Sequence, residues 1–279
     1  MTGRAKAVLK KGVAGVSQWF LPAMILGAAG FLILEAASVL VSAGGLRFLQ
    51  PVWRPGGQDY GVGALVICSL FAALPATLLT VLFGTPCAFL MAQRDDSKLV
   101  ALARVSLGVW AGVPSIVVGV LVLACLTPFT GLSLLAGVCA IACMIFAGFV
   151  LSLAALIENA DRARFVSLKA LGFAHVSCLY HGLWPEIRRT AGALVLLTLA
   201  RGLGEATAAS LVIGGIVSAI PPTVFGGTET LATAVLKGFP VATGDYMAAI
   251  SVTVATLLLL IAMCVAAAAR IRRGTNEGE

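Results

Sequence analysis

The chain has 279 residues, of which 60% are hydrophobic and 11% are charged, with a mean hydropathy of +1.04. Because an ordinary soluble domain is about 45–50% apolar and about 25% charged, this composition excludes a single globular core covered by polar surface. The formal net charge of +7 comes from short basic clusters between long apolar runs, which is typical of membrane topology and argues against a nucleic-acid partner. We therefore expect an all-α integral membrane protein whose main solvent is the lipid bilayer.

The apolar runs predict six membrane-spanning helices. The basic tail 1–16 precedes an apolar run that is longer than a signal-peptide core of about 7–15 residues, so we expect a retained first span. A helix needs roughly 20 apolar residues to cross the hydrocarbon core. Six segments reach that length: 17–43, 61–92, 105–126, 132–157, 190–216 and 246–269. The second contains Pro75, Gly84 and Pro86, which predicts an interfacial turn before the true span or a kink within it.

The distribution of Lys and Arg predicts the orientation. Six spans put both termini on one side of the membrane. Fifteen Lys and Arg residues lie on the side of the two tails, against three (Arg47, Arg54 and Lys237) on the other side. By the positive-inside rule, both termini, the C-tail 270–279 and the long loop 158–189 are cytoplasmic.

The loop 158–189 is predicted to form a helical hairpin. Three apolar residues are spaced to share one face of its first helix: Phe165, Leu168 and Leu171. Gly172 is expected to end that helix, since glycine tolerates the left-handed conformation at a helix C-terminus. Pro185 suits the first turn of the following helix, where its missing N–H is not needed. His175, Cys178 and His181 have the spacing of possible zinc ligands, but ordinary loop residues are favoured and no metal is expected.

Arg201 and Glu205 lie inside the predicted fifth span. Each charge costs about 2.5–3.5 kcal/mol at the centre of a span, and pairing offsets only part of that cost. Four residues apart on a helix, the two side chains share a face and are expected to pair while facing the bundle interior or a wet pathway. Two interpretations stay open: Arg201 contacts an anionic solute and Glu205 orients it, or the pair only fixes helix packing.

The loop 158–189 resembles the EAA loop of ABC-transporter permease subunits. Gly172 and Pro185 have that motif's spacing, and Ala170-Leu171-Gly172 is close to its usual ending, whereas its acidic residue is absent because Val166-Ser167-Leu168 occupies the place of Glu-Ala-Ala. The resemblance implies a coupling helix that docks on a separate ATPase subunit. The residues it assigns to this coupling are Ala170, Leu171, Gly172 and Pro185, with Arg162 and Arg164 as substitutes for the missing glutamate.

Further stretches resemble phosphate ABC-transporter permeases. AGVPSIVVGV (111–120) is similar to the start of their third span. LARGLGEATAASLVIGG (199–215) is similar to their fifth span, whose Arg-Ala-x-Gly-Glu-Thr pattern is matched at Arg201, Gly204 and Glu205. TETLATAVLKGF (228–239) is similar to the outer segment before the last span in the C-type rather than the A-type subunit. The resemblance implies a six-helix type I importer permease fold.

This resemblance implies a multi-pass membrane subunit of an ATP-driven inorganic phosphate importer in the bacterial cytoplasmic (inner) membrane. The implied partners are a second permease subunit, an ATP-binding subunit dimer and an extracytoplasmic phosphate-binding protein. The chain has no GxxxxGK[ST] phosphate loop, so we expect no enzyme activity and no cofactor in this subunit. The residues assigned to the substrate pathway are Arg201, Glu205, Gly204, Thr207 and Ser115. The alternatives are a permease for molybdate, sulfate or phosphonate, and a self-contained secondary transporter.

Overall fold

The computed structural model describes residues 27, 30, 34 and 50–276, apart from 51, 58, 94–96, 161–162, 216–220 and 222. The predicted first span 17–43 therefore lies outside the described residues, apart from three positions. The elements of the remaining chain are, in order, β1 (Trp53–Arg54), β2 (Asp59–Tyr60), α1 (Val62–Gln93), α2 (Lys98–Ala111), α3 (Ser115–Cys125), α4 (Thr127–Thr130), α5 (Leu134–Glu158), α6 (Ala163–Ala170), α7 (His175–Cys178), a π-helical turn (Leu179–Leu183), α8 (Trp184–Leu203), α9 (Thr207–Val212), α10 (Leu231–Gly238) and α11 (Asp245–Asn276).

Three helices in the described part, α1, α5 and α11, are long and apolar enough to cross a membrane by themselves. The pair α2 and α3 qualifies as a fourth if it is counted as one span. Helix α1 is continuous over 32 residues although it contains Pro75 and Pro86. The alternative of an interfacial turn before the true span is therefore not seen between Val62 and Gln93. Interior prolines are tolerated in apolar helices because neighbouring helices compensate the lost backbone bonds.

Helices α2 and α3 meet at an angle of 102°, in the middle of the predicted third span 105–126. Gly112 ends α2 with its N–H bonded to the Val109 carbonyl oxygen at 3.0 Å. Pro114 follows in an extended conformation, with ψ of 136°, and starts α3. A proline disfavours helical backbone at the residue before it, which here is Val113, so the chain turns at this point.

The predicted fifth span 190–216 is also interrupted. Helix α8 ends at Leu203, and α9 begins at Thr207 after three non-helical residues. Past α9 the backbone turns at Gly214 and Gly215, both with positive φ. Gly214 forms an isolated parallel bridge with Thr228, which ties the end of α9 to the segment that leads into α10. Conformations of this kind are available to glycine at little cost.

The helices pack through small residues. A Cβ placed on Gly84 of α1 would lie 2.9 Å from the Phe149 ring of α5, and one placed on Gly119 of α3 would lie 3.0 Å from the Cα of Ala208 in α9. Such contacts bring helix axes close together, as is usual where apolar helices associate without a hydrophobic driving force. Helix α5 lies at the centre of the bundle, since it packs against α1, α2, α3, α8 and α9.

One end of the bundle carries the antiparallel hairpin β1–β2, in which Trp53 pairs with Tyr60. Trp53 is buried, and Tyr60 stacks on Tyr246 of α11 with ring centroids 5.6 Å apart. Helix α10 packs at the same end, where the Leu231 N–H donates to the Ser69 hydroxyl oxygen of α1 at 2.8 Å. We call this region the hairpin end of the bundle, after the β-hairpin; it is distinct from the helical hairpin predicted in the loop 158–189.

The crossing of α3 and α9 gives a stability test. We expect Gly119→Ala to lower the free energy of unfolding by about 1–3 kcal/mol, because its methyl group would meet the backbone of Ala208. Gly108→Ala in α2 is the matched control, since a Cβ at that position meets nothing within 4 Å. The control should be neutral or stabilising by up to about 1 kcal/mol from helix propensity. Thermal unfolding in detergent measures both, and equal effects of the two substitutions would contradict the packing.

Candidate functional site

Arg201 lies in the last turn of α8 and its side chain is exposed. Its Nη1 atom lies 3.9 Å from the position that a Cβ on Gly148 of α5 would occupy, which is an ordinary van der Waals distance, so the guanidinium lies beside α5. Within the described part of the chain, no hydrogen bond or ion pair engages this guanidinium. Five N–H donors are thus free to bind a group outside these residues.

Glu205 lies in the break between α8 and α9, where its Oε1 atom accepts a hydrogen bond from the Ala208 N–H at 3.2 Å. The expected ion pair with Arg201 is not made, although both residues are described. The physical reason is the helix end at Leu203: without a continuous helix, positions four residues apart do not share a face. Glu205 instead satisfies one of the unpaired N–H groups of the first turn of α9.

Gly204, Thr207 and Ser115 lie at helix ends. Gly204 caps α8, and a Cβ placed on it would lie 3.7 Å from Ile261 of α11, which shows how closely the last helix approaches. Thr207 is the first residue of α9, and Ser115 is the first residue of α3. Gly119, four residues after Ser115, contacts Ala208, which directly follows Thr207. The Cα atoms of Thr207 and Ser115 are therefore at most about 15 Å apart.

The segment from 163 to 184 forms the predicted helical hairpin. Helix α6 ends at Ala170 and is followed by Gly172, whose φ is +80°, and the Phe173 N–H donates to the Leu168 carbonyl oxygen at 3.2 Å. This pair of features is a Schellman motif, so the predicted helix end is confirmed. Pro185 lies in the first turn of α8, also as predicted. Arg162 lies outside the described residues, and Arg164 lies within α6.

The two arms of this hairpin are in backbone contact. A Cβ on Gly182 of the π-helical turn would lie 2.9 Å from the Cα of Phe165 in α6. The hairpin also exposes large apolar side chains, which we call the hairpin surface: Val166, Leu171, Phe173 and Tyr180. Leu171 is 74% exposed, and Ala170 beside it is exposed as well. An exposed apolar patch of this kind marks a contact with another protein or with a membrane.

A second charged group, not assigned from the sequence, lies at the hairpin end. The Glu229 Oε1 and Lys237 Nζ atoms are 4.0 Å apart, and the Glu229 side chain is only 9% exposed. Burial raises the pKa of Glu229 above its ordinary value of 4.5, while the nearby charge of Lys237 and the indole N–H of Trp53 act in the opposite direction. The signal in the sequence that could have identified this pair is an acidic and a basic residue eight positions apart in a segment without other charged residues.

Comparison with known proteins gives one distant relative. No family model matches the chain. The chain is 27% identical over 199 residues to the probable ABC transporter permease protein YqgH of Bacillus subtilis. The match covers 67% of this chain and 64% of the length of the Bacillus subtilis protein.

The capping role of Glu205 gives a second stability test. We expect Glu205→Ala to lower the free energy of unfolding by about 0.5–2 kcal/mol, because the Ala208 N–H loses its acceptor. Glu205→Gln keeps a carbonyl oxygen at the same place and should cost less. Thermal unfolding of both variants in detergent checks the order. An equal loss in the two variants would instead indicate that the negative charge, rather than the hydrogen bond, is required.

Proposed function

We propose that this chain is a membrane subunit of an ATP-driven importer of inorganic phosphate, in which it forms half of the translocation pathway. The distant relationship to a probable ABC transporter permease and the long apolar helices support the class. The proposed topology has six spans with both termini cytoplasmic, in the inner membrane of a bacterium. The distribution of Lys and Arg supports this orientation.

The observation that carries the proposal is the course of α8. This one helix of 20 residues starts at Trp184, directly after the helical hairpin, and carries Arg201 in its last turn. With a rise of 1.5 Å per residue, Trp184 and Arg201 are about 25 Å apart along its axis. A displacement of the hairpin is therefore transmitted to Arg201 by a rigid element, which is the property that coupling between an ATPase and a membrane pathway requires.

The hairpin surface is the proposed docking site of a separate ATPase subunit. Leu171 and Phe173 are exposed on a hairpin whose arms are fixed to each other by the contact of Gly182 with Phe165. A rigid apolar knob of this kind fits a groove on a partner. The chain itself has no phosphate loop for ATP hydrolysis, so the energy comes from the partner.

Arg201 is the proposed contact of the anion. A guanidinium binds phosphate oxygens through two parallel hydrogen bonds, and here no described carboxylate neutralises it. The counter-charge is then supplied by the solute. Glu205 acts through the backbone by fixing the start of α9, and the guanidinium lies beside Gly148 of α5.

The proposed partners follow from the importer class. They are a second permease subunit, two copies of an ATP-binding subunit and an extracytoplasmic phosphate-binding protein, with this chain as the C-type permease. Phosphate is preferred over molybdate, sulfate or phosphonate because of the Arg201, Gly204 and Glu205 pattern. Competition between labelled phosphate and each of these anions during uptake distinguishes the substrates.

A self-contained secondary transporter is the second candidate, and one observation favours it. Transporters of that class bind solutes at interrupted helices in both halves of the chain. The described part of the chain has two such interruptions, between α2 and α3 and between α8 and α9. The two candidates differ in whether transport needs the hairpin surface.

The anion contact is tested by Arg201→Ala. We expect uptake of labelled phosphate by cells to be abolished while the protein still assembles in the membrane, because the only proposed cationic contact in the span is lost. Arg270→Ala, at an exposed position of α11, is the matched control and should keep normal uptake. Unchanged uptake by the Arg201 variant would contradict the proposed contact.

The docking surface is tested by Leu171→Asp. We expect loss of ATPase co-purification and at least about a tenfold drop in uptake, because a buried unpaired carboxylate at an interface costs more than 1.4 kcal/mol. Leu99→Asp is the control, since Leu99 has a similar exposure of 78% outside the hairpin. Normal uptake by the Leu171 variant would favour the secondary transporter over the importer.

A further inference from the structure

The Glu229–Lys237 pair joins the two ends of α10 at the hairpin end of the bundle. Glu229 comes just before the N-cap residue Thr230, and Lys237 lies in the last turn of the helix. The lysine side chain is 40% exposed, whereas the glutamate side chain is 9% exposed. One partner is thus accessible from outside the fold and the other is held inside it.

The pair is incompletely made. Its separation of 4.0 Å is well beyond the roughly 2.7–2.9 Å of a charge-assisted hydrogen bond. Among the described residues, no hydrogen bond engages the Lys237 ammonium or the Glu229 carboxylate. The buried Trp53 indole nitrogen makes no hydrogen bond of ordinary geometry either, although its N–H is close enough to Glu229 to stabilise the carboxylate. Two donors therefore face one buried acid without a complete bond.

The lysine is directed to this place by the backbone. The Lys237 ammonium occupies the space that a side chain at Gly215 would need, and Gly215 has a φ of +62°. The Gly215 N–H donates to the Thr228 carbonyl oxygen at 3.0 Å, which fixes the turn beside the ammonium. A larger residue at position 215 would displace the ammonium, so the turn leaves the cation exposed at a defined position.

Protonation of Glu229 changes the charge of this group. Desolvation raises the pKa of Glu229, with Lys237 and the Trp53 N–H opposing it. Among the described residues, Tyr246 from α11 interacts with the carboxylate, and Tyr60 from β2 stacks on Tyr246. A tyrosine hydroxyl ordinarily titrates well above neutral pH, so Tyr246 is neutral in this pH range. As pH falls toward the raised pKa, Glu229 becomes neutral before an exposed carboxylate does, and Lys237 then lacks a counter-charge.

We infer that Lys237 and Glu229 form a second binding site for inorganic phosphate, placed at the outer mouth of the proposed pathway. This inference rests on the proposed function and orientation. The anion replaces Glu229 as the counter-charge of the exposed Lys237, while the buried Trp53 N–H stays beside the Glu229 carboxyl group. Ionised Glu229 competes with the anion for Lys237 and keeps binding weak, whereas protonated Glu229 no longer competes.

The experiment titrates inorganic phosphate into the purified full-length chain in detergent, at about pH 5 and about pH 7.5. The Arg201→Ala background isolates the outer site from the proposed inner contact. Phosphate itself loses a proton between these pH values, so each measurement is compared with the Glu229→Gln variant at the same pH. We expect the site with Glu229 to bind more weakly than the Glu229→Gln variant at about pH 7.5 and nearly as tightly at about pH 5. Lys237→Gln should weaken binding by about tenfold or more, as expected when a charged hydrogen-bond donor is lost, whereas Lys237→Arg should retain it.

Three results would overturn the inference: no phosphate binding in the Arg201→Ala background, unchanged binding after Lys237→Gln, or equal binding with and without Glu229→Gln at about pH 7.5. A purely structural ion pair would lower the unfolding temperature in both variants and leave anion binding unchanged. Failure here is separable from failure of the proposed function. Unchanged uptake after both Arg201→Ala and Leu171→Asp would overturn the importer, even if Lys237 bound phosphate in the titration.

Discussion

The arrangement of this protein depends on the requirement that backbone polar groups in an apolar environment find hydrogen-bond partners. Each unsatisfied group costs several kcal/mol where water is excluded, so a helix that stops inside the bundle must be capped. Between α8 and α9, the Gly204 and Glu205 N–H groups bond back to α8, and the Glu205 carboxylate accepts the Ala208 N–H. A carboxylate used in this way is not the partner of Arg201, and the guanidinium remains available at the helix end.

Close packing at small residues stabilises the short helix segments on either side of these interruptions. Helix α9 has only 6 residues and would not be stable alone. It is held because Gly119 of α3 admits the backbone of Ala208, and because Gly137 of α5 admits Ile213. Small residues on α3 and α5 therefore shape the packing around α9.

Local sequence predicted some features well and others poorly, for a physical reason. Gly172 and Pro185 act within one turn of chain, so the end of α6 and the start of α8 followed directly from them. Pro75 and Pro86 have the same local chemistry as Pro114, yet only Pro114 begins a new helix. A glycine lies two residues before both Pro86 and Pro114, so it does not account for the difference. We attribute the difference to the support that α1 receives from α5, where Gly84 packs against Phe149. Proline alone did not distinguish these cases.

Composition and spacing by themselves determined that the chain is helical and apolar, that its loop 158–189 forms a hairpin, and that Arg201 and Glu205 are exceptional residues. Only the tertiary structure decided what these residues contact. Gly148 is 53 positions before Arg201, and Trp53 is 176 positions before Glu229, so no periodicity relates them. The helical periodicity of a sequence shows only which residues share a face of one helix. The partners of a charged side chain across the bundle depend on where helices stop and how closely they approach, and those distances are set by packing.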